Sequence, residues 1–277
     1  MQLDDRKILI TGAGSGIGRA LALRLADLGG ALALAGRRAE PLHETARLVR
    51  ERGASAHVIP ADLADAAVPA RLVAQTVTAL GGLDLLINNA GNVRAGELES
   101  VSEAEIHAMI DVDLVAPILL ARAALPHLKE SAGGAADRAT RPAGILGIAS
   151  GIARVGLPYY AVYAAVKAGL ANFDEALRRE LYGTGIHVAT AYPGATATPM
   201  MDTNAAGDDL GFGRRPVDEV ADEIVAGLRD DLIDIDTSLP TRRGMQDLNR
   251  TDPAAVDEQL ALALPRLREA VSGHRSI

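Results

Sequence analysis

The chain has 277 residues, of which 48% are hydrophobic and 23% charged, with a formal net charge of −8 and no cysteine. The missing cysteines exclude disulfide bonds, thiolate metal sites and thiol nucleophiles, and the acidic balance argues against a nucleic-acid partner. Because no apolar run reaches membrane-spanning length and no secretory signal is visible near the first residue, we expect a cytoplasmic protein with no membrane contact.

Short apolar segments alternate with helical patterns along most of the chain. Apolar runs bounded by glycine, proline or aspartate predict strands at residues 7–11, 31–35, 55–59, 84–87, 144–149, 186–192 and 232–235. Apolar residues at helical spacing predict helices at residues 16–28, 41–51, 65–80, 102–129, 159–182 and 217–228. This alternation indicates an α/β fold, a doubly wound parallel sheet with helices on both faces. Since aromatic residues are few, we expect a core of Ala, Leu, Val and Ile.

Two irregular stretches interrupt this alternation, and neither looks like a boundary between two cores. Residues 131–142 are rich in Gly, Ala, Asp and Arg and are interpreted as a surface loop. Residues 198–216 contain three glycines and are long enough to form a mobile lid over a substrate. We therefore interpret residues 1–240 as one domain that includes this lid.

The remaining residues, 241–277, are interpreted as a helical extension of that domain. After Pro240 the pattern becomes polar, which gives no clear helix until Pro253. A final helix is predicted to begin at Pro253, capped by Thr251 or Asp252, and to kink near Pro265.

The first strand ends in a glycine-rich turn, Thr11-Gly12-Ala13-Gly14-Ser15-Gly16-Ile17-Gly18. Glycines at this position allow a tight turn and let a pyrophosphate approach the backbone N–H groups at the start of the next helix. The strict G-x-G-x-x-G spacing is not met, and no Gly-Lys-Ser/Thr follows, so a nucleotide-hydrolysing P-loop is excluded. An ordinary strand-to-helix turn needs only one glycine. The turn therefore predicts a Rossmann-type dinucleotide site.

Read together with Asn88-Asn89-Ala90-Gly91 and Tyr163-x-x-x-Lys167, this turn resembles the short-chain dehydrogenase/reductase family. The resemblance covers about residues 7 to 235, with the motifs in the family's order. It implies that Asp62 contacts the adenine, that Thr198 holds the nicotinamide carboxamide, and that the protein is a homodimer or homotetramer. The expected cofactor contacts are Gly12, Gly14, Ser15, Gly16, Ile17, Gly18, Arg37, Arg38, Asp62, Leu63, Asn89, Ala90, Gly91, Tyr163, Lys167, Pro193, Gly194, Thr196 and Thr198.

Tyr163 and Lys167 are the expected catalytic pair, because residues four apart on a helix share a face. A tyrosine has a pKa near ~10 in water, and a nearby ammonium together with the oxidised nicotinamide favours its phenolate. Ser150, at the end of the preceding strand, is placed to hydrogen-bond the substrate oxygen. The resemblance implies the same roles and adds that Lys167 binds the nicotinamide ribose. Tyr159 and Tyr160 lack a lysine four residues later and are expected to flank the substrate or a subunit interface.

One position departs from the family pattern. Where the family commonly has an asparagine that completes a proton relay through water, this chain has Asp113 within Val112-Asp113-Leu114. Because the resemblance implies that the relay depends largely on a backbone carbonyl, where the helix is kinked, an aspartate is compatible with it. The extra carboxylate is equally compatible with pairing with Lys167 or with slower proton delivery, so the relay role of Asp113 stays open.

The end of the second strand predicts which nicotinamide cofactor binds. A carboxylate there would bind the ribose 2′-hydroxyl and repel a 2′-phosphate, but this chain has Gly36 followed by Arg37 and Arg38. Guanidinium groups suit a phosphate, although both arginines are also compatible with solvated loop positions. We predict a preference for NADP(H), with Arg37 as the main 2′-phosphate ligand and NAD(H) as the alternative.

The sequence thus predicts an oxidoreductase that moves hydride between NADP(H) and a small-molecule carbonyl or alcohol, with Tyr163 as acid/base. Two other functions are weighed: a cofactor-sensing regulatory protein without turnover, and a reductase of a carrier-bound acyl group that docks on Arg214 and Arg215. The histidines have no metal-ligand spacing, so no metal site is predicted and they are interpreted as surface or packing residues. Substrate specificity is expected from residues 95–100, 150–160 and 198–216, with the C-terminal tail as a further candidate and Met200 and Met201 as lid or core residues.

Overall fold

Seven parallel strands form one sheet, and most of them are runs of small and branched apolar residues buried on both faces. The computed structural model describes residues 1–133 and 143–276. The strands are β1 Lys7–Thr11, β2 Ala31–Gly36, β3 Ser55–Pro60, β4 Leu85–Asn88, β5 Ala143–Ile148, β6 Ile186–Tyr192 and β7 Asp234–Asp236. Their order across the sheet is β3-β2-β1-β4-β5-β6-β7. The predicted doubly wound α/β fold is therefore confirmed.

Helices cover both faces of this sheet, as the strand–helix alternation predicts. The helices are α1 Gly16–Ala26, α2 Ala39–Glu51, α3 Val68–Leu80, α4 Glu103–Ile110, α5 Ala116–Ala132, α6 Ala161–Glu180, α7 Val217–Arg229, α8 Pro240–Thr251, α9 Pro253–Ala261 and α10 Leu264–Val271. One apolar cluster joins the sheet to α1, α2 and α7, and a second joins it to α3, α5 and α6. Both clusters consist almost entirely of Ala, Leu, Val and Ile, as expected. None of the helices in the described residues is long and apolar enough to cross a membrane.

The prediction of one continuous helix over residues 102–129 is wrong, because the helix is interrupted in its interior. Five residues, Asp111–Val115, form a π-helical segment between α4 and α5, and α5 continues to Ala132. Ser102 caps α4, because its hydroxyl accepts the backbone N–H of Glu105 while the Glu105 carboxylate accepts the backbone N–H of Ser102. The π segment adds one residue to the turn and changes which face Asp113 occupies.

The polar stretch after Pro240 is helical, which its sequence pattern does not predict. Only Gln246 is buried in α8, so no apolar face marks this helix. Asp252, not Thr251, caps α9: its Oδ1 accepts the Ala255 N–H at 3.1 Å. Near Pro265 the predicted helix is interrupted rather than kinked, since α9 ends at Ala261 and α10 begins at Leu264. Most of the predicted surface loop, residues 134–142, lies outside the described residues.

The strand order places the candidate site. β1 lies between β2 and β4, so the chain leaves β1 toward one edge of the sheet and returns to the other side of β1 at β4. In an open parallel sheet, ligands bind in the crevice at the carboxyl ends of the strands where the order reverses. Thr11 ends β1 and Asn88 ends β4, so the glycine-rich turn and the Asn-Asn-Ala-Gly motif both lie at this crevice.

Candidate active site

The glycine-rich turn joins β1 to α1 through backbone conformations that favour glycine. Gly12 has φ +66° and Gly16 has φ +53°, which L side chains rarely adopt. Gly18 has a different requirement, because a Cβ there would lie 2.4 Å from both Asn89 Nδ2 and the carbonyl oxygen of Gly12. Gly18 therefore lets α1 pack directly against the ends of β1 and β4, and it lies beneath the turn rather than on the wall of the crevice.

The first turn of α1 offers backbone donors to the crevice. Ser15, the residue before the helix, makes no side-chain hydrogen bond to the helix start. The first N–H groups of a helix have no intrahelical acceptor, so they are available to an anion and carry the positive end of the helix dipole. Gly14, Ser15, Gly16 and Ile17 line the crevice here. This donor set fits the pyrophosphate of a dinucleotide.

The two neighbouring motifs are tied together by one threonine. Thr11 Oγ1 accepts the backbone N–H groups of Asn89 and Ala90, both at 3.0 Å, and donates to the carbonyl of Ile87 at 3.2 Å. Asn89 Nδ2 in turn donates to the carbonyl of Thr11 at 2.8 Å. These bonds fix the Asn-Asn-Ala-Gly segment against the glycine-rich turn and hold the crevice open between them.

The crevice leads into a cavity of about 610 Å³ that brings nearly all the predicted site residues together. Gly18 and Asp113 are the two exceptions, since they lie behind the residues that line the cavity. The predicted residues that line the cavity are Gly12, Gly14, Ser15, Gly16, Ile17, Arg37, Arg38, Asp62, Leu63, Asn89, Ala90, Gly91, Ser150, Tyr163, Lys167, Pro193, Gly194, Thr196 and Thr198.

Arg37 and Arg38 lie at one end of this cavity, directly after β2. Both side chains are exposed, and neither makes an ion pair with a carboxylate among the described residues. Asp62 lies nearby on the loop after β3, where its Oδ1 accepts the N–H of Ala64 at 3.1 Å. This end of the cavity therefore has two uncommitted positive charges, which fits an anionic group on the ligand.

Ser150, Tyr163 and Lys167 lie at the other end. Ser150 follows β5, and its Oγ donates to the carbonyl of Pro193 at 3.4 Å; it lines the cavity together with Tyr163. Tyr163 and Lys167 face the cavity from the same side of α6, with Nζ 5.7 Å from the centre of the phenol ring. Lys167 Nζ donates to the carbonyl of Ile148 at 3.2 Å. The three side chains form one polar group beside the cavity.

The burial of this group acts on its proton equilibria. Burial raises the pKa of Tyr163, the Lys167 ammonium opposes that rise, and the Asp113 carboxylate adds to it. Burial alone would lower the pKa of Lys167, but the Asp113 carboxylate and the Tyr163 phenol together raise it above its ordinary value. Lys167 therefore stays protonated at neutral pH and provides the positive charge that favours the phenolate.

Asp113 lies directly behind Lys167. Its Oδ1 is 2.9 Å from Lys167 Nζ, and its Oδ2 accepts the backbone N–H of Asn92 at 2.8 Å. A Cβ on Gly91 would lie 2.7 Å from Asp113 Oδ1, so a glycine is needed at that position for the carboxylate to approach. Of the roles left open for this residue, pairing with Lys167 is the one that the geometry supports.

Beyond Tyr163, the cavity is lined mainly by apolar groups. Tyr160 lines it, whereas Tyr159 does not; the Tyr159 hydroxyl donates to the carbonyl of Leu264 at 3.2 Å. Met200 and Met201 also line it, as does Phe212 on the predicted lid. Residues 95–100 are not among the residues that line the cavity, although Ala95 packs in the same apolar cluster as Tyr160.

Sequence reasoning missed several lining residues, among them Arg242, His274 and Ser276 from the last part of the chain. Ser276 N and Oγ bond the backbone of Val93 at 3.0 and 2.9 Å, which brings the segment after α10 to the cavity. His274 Nε2 donates to the carbonyl of Met200 at 3.0 Å, so Nδ1 accepts the Tyr160 hydroxyl at 2.7 Å. No motif or spacing marks these residues, because contacts between distant parts of the chain bring them here.

Comparison with known proteins gives consistent matches. The short chain dehydrogenase family profile matches residues 6–209. An uncharacterized oxidoreductase of Mycobacterium tuberculosis is 31% identical over 218 residues, which are 79% of this chain and 78% of that protein. The 1-deoxy-11-beta-hydroxypentalenate dehydrogenase of Streptomyces exfoliatus is 35% identical over 230 residues, which are 82% of this chain and 79% of that protein. A short chain dehydrogenase from Burkholderia cenocepacia, solved in complex with NADP, superimposes with a TM-score of 0.75 at 31% identity, covering 85% of this chain and 96% of that one.

Proposed function

Because the chain belongs to the short-chain dehydrogenase/reductase family, it is an NAD(P)-dependent oxidoreductase acting on CH–OH or C=O groups, and we propose that Tyr163 is its acid/base. The proposal rests on one observation: Ser150, Tyr163 and Lys167 line the same cavity as the glycine-rich turn. The substrate is a small-molecule carbonyl or alcohol that enters the apolar end of this cavity. We propose that residues 241–277 complete that end.

The cofactor, when bound, supplies or accepts the hydride at the reacting carbon. The glycine-rich turn and the start of α1 would bind its pyrophosphate, and Thr198 and Lys167 would orient its nicotinamide end. Asp62 and Leu63 would contact its adenine end. These assignments follow the family resemblance and agree with the donor set of each segment.

Tyr163 transfers the proton at the substrate oxygen. In the reducing direction its hydroxyl donates to the oxygen as negative charge develops there, and in the oxidising direction the phenolate accepts the proton. Ser150 donates a hydrogen bond to the same oxygen and stabilises that charge. Both side chains line the same cavity, so one substrate oxygen can contact both hydroxyls.

The Lys167 ammonium favours the phenolate form of Tyr163, and Asp113 holds Lys167 in position. The ammonium is held by the Asp113 carboxylate at 2.9 Å and by the Ile148 carbonyl at 3.2 Å. Asp113 contacts neither the cavity nor the reacting atoms, so we assign it as a positioning residue. Its negative charge also raises the pKa of Tyr163, which favours the protonated form and therefore the reduction of carbonyl substrates.

We propose NADP(H) as the cofactor, with Arg37 as the main ligand of the 2′-phosphate and Arg38 beside it. Two exposed guanidinium groups that have no carboxylate partner among the described residues support this choice, because a phosphate accepts bidentate, charge-assisted hydrogen bonds from arginine. The NADP in the Burkholderia cenocepacia relative agrees with it. A homodimer or homotetramer in the cytoplasm stays the expected state.

The carrier-protein alternative keeps only part of its predicted docking patch, because Arg215 is paired with carboxylates whereas Arg214 is exposed without a carboxylate partner among the described residues. Arg215 pairs with Glu223 at 2.6 Å and Glu219 at 3.4 Å, and Arg214 donates to the carbonyl of Asn204 at 2.6 Å. A guanidinium already neutralised by two carboxylates attracts an acidic carrier weakly. A free small molecule is therefore the better substrate, and a cofactor sensor without turnover would have no use for the complete set of Ser150, Tyr163 and Lys167.

The test is turnover of a panel of ketones, aldehydes and alcohols with NADPH, NADH and their oxidised forms. We expect carbonyl reduction with NADPH to be faster than with NADH. Binding of NADPH without turnover of any substrate would favour the sensor, and failure to bind either cofactor would contradict the whole proposal.

A further inference from the structure

The apolar end of the cavity is closed by residues that follow the family match. The match ends at residue 209, whereas Phe212, Arg242, His274 and Ser276 all line the cavity beyond Tyr163. These residues come from the lid, from α8 and from the segment after α10. Part of what selects a substrate in this chain therefore lies outside the part that it shares with the family profile.

Arg242 is the charged residue at this end. Its Nη2 donates to the carbonyl of Gly211 at 2.7 Å, its Nη1 lies 3.5 Å from Met245 Sδ, and its guanidinium carbon is 5.9 Å from the centre of the Phe212 ring. Within residues 1–133 and 143–276, no carboxylate lies within ion-pair distance of it. Most of its N–H groups therefore have no protein acceptor.

Two other half-buried arginines have carboxylate partners, and Arg19, which has none among the described residues, donates to Thr45 Oγ1 and to the carbonyls of Gly14 and Pro41. Arg154 lies 2.9 Å from Asp234, and Arg94 lies 3.0 Å from Glu105. A guanidinium cannot release its proton under ordinary conditions, so its desolvation cost has to be met by an anion or by hydrogen bonds. Burial lowers the pKa of Arg242 and only Tyr160 opposes this effect, which is the behaviour of a cation without a paired anion.

A series of ring contacts connects Arg242 to the proposed acid/base. The rings of Tyr163 and Tyr160 are 6.4 Å apart, those of Tyr160 and Phe212 are 5.8 Å apart, and Arg242 lies against Phe212. The walls between the two ends are apolar: Ile152, Leu157, Tyr160, Met200, Met201 and Phe212. A ligand that fills this space is apolar along its length and has polar groups only at its two ends.

We propose that the substrate carries a carboxylate remote from its reacting carbonyl or alcohol carbon, and that Arg242 binds this carboxylate. The inference rests on the proposed function, because that function fixes the reacting carbon at Tyr163. A carboxylate matches the planar fork of one guanidinium. His274 also lies at this end, and it is held neutral because burial lowers its pKa. The Arg242 guanidinium is therefore the positive charge available here, and one positive charge matches a carboxylate better than a multiply charged phosphate.

The test uses methyl-ketone acids in which a growing number of methylene groups separates the ketone from the carboxylate, each compared with its methyl ester. The native enzyme reduces an acid of suitable length with kcat/KM about tenfold to hundredfold above that of its ester. Arg242→Gln lowers kcat/KM for the acid to the level of that for the ester, whereas Arg242→Lys keeps part of the preference. Arg243→Gln is the matched control, because Arg243 is exposed on the same helix and does not line the cavity.

Equal kcat/KM for acid and ester at every chain length would overturn the carboxylate site while leaving the proposed function intact. The same holds if the preference for the acid survives in Arg242→Gln. If no ketone is turned over, calorimetric binding of decanoate against decanamide still decides the question: binding of decanoate that Arg242→Gln abolishes supports the site, and equal binding of the two ligands overturns it.

Discussion

The carboxylate of Asp113 and the ammonium of Lys167 form a buried ion pair, with Oδ1 2.9 Å from Nζ and side chains that are 0% and 5% exposed. Gly91 makes this contact possible, because any Cβ at that position would collide with Oδ1. The pair has two opposite effects on Tyr163: it keeps Lys167 charged, which favours the phenolate, and it adds a negative charge nearby, which disfavours it.

Asp113→Asn is expected to shift alcohol oxidation to lower pH. The phenolate of Tyr163 is the base in this direction, and the variant removes a charge that raises the pKa of Tyr163. The measurement is kcat/KM for oxidation against pH. The variant also leaves a buried ammonium without its partner, so the free energy of unfolding falls by about 3 kcal/mol. Asp111→Asn, on the same π segment but without this ion pair, serves as control, and an unmoved pH profile in Asp113→Asn would contradict the assignment.

Arg37→Ala is expected to lower kcat/KM for NADPH about tenfold to hundredfold and to leave that for NADH nearly unchanged. The reason is that the variant removes charge-assisted hydrogen bonds to the 2′-phosphate, which NADH lacks. Initial rates with both cofactors at a fixed ketone concentration measure the change. Arg229→Ala is the control, because Arg229 is equally exposed but lies on α7 and does not line the cavity. An unchanged ratio of the two cofactors in Arg37→Ala would show that Arg37 is not the phosphate ligand.

Gly18→Ala is expected to weaken NADPH binding and to lower the free energy of unfolding by about 2 kcal/mol. The added methyl group would lie 2.4 Å from the carbonyl oxygen of Gly12, so α1 must move away from the turn. Gly244→Ala is the matched helical control, because nothing lies within 4 Å of a Cβ there. That control should stabilise the protein by about 0.5–1 kcal/mol. Urea unfolding and cofactor titration measure both effects, and equal behaviour of the two variants would contradict the close packing at Gly18.

How far the sequence predicts this fold differs between elements. β1 and β6 have the bounds that their apolar runs predict, Lys7–Thr11 and Ile186–Tyr192, because strands of a covered parallel sheet are apolar on both faces. The π segment Asp111–Val115 was not predicted, since its extra residue leaves the helical spacing almost unchanged. α8 was not predicted either, because only Gln246 of this helix is buried and no apolar stripe marks it.

The candidate site divides in the same way. The residues of the cofactor end and Tyr163 with Lys167 belong to motifs of fixed spacing, so the sequence alone identifies them as candidates. Arg242 and His274 belong to no motif. They reach the cavity through contacts that span the chain, such as the bond from the Tyr160 hydroxyl to His274 Nδ1. Only the assembled structure gives such residues a role.

Asp174 gives a prediction about stability that is independent of catalysis. Burial raises the pKa of this carboxyl to about 7, and its hydrogen bond from Thr190 Oγ1 at 3.0 Å only partly opposes the rise. Since the folded state then binds the proton more tightly than the unfolded state, the carboxyl is neutral in the fold below this pKa. Its contribution to the free energy of unfolding therefore falls by up to about 4 kcal/mol as the pH rises from about 4 to about 7.

Asp174→Asn is expected to remove this part of the pH dependence. The measurement is urea unfolding of the native protein and the variant at about pH 5 and about pH 8, where Asp174 is mostly neutral and mostly charged. The loss of stability between the two conditions should be smaller in the variant. Asp257→Asn, at an exposed position on α9, should behave as the native protein. The same loss in Asp174→Asn as in the native protein would contradict the burial cost assigned to this group.

The most direct test of the account is reduction of a ketone by Tyr163→Phe with NADPH, measured together with NADPH affinity. The variant removes the proton donor and keeps the ring, so kcat should fall about a thousandfold while the dissociation constant for NADPH stays within about twofold. This combination would support Tyr163 as the acid/base in a cavity that still binds the cofactor. Turnover by Tyr163→Phe at a rate close to that of the native enzyme would contradict it.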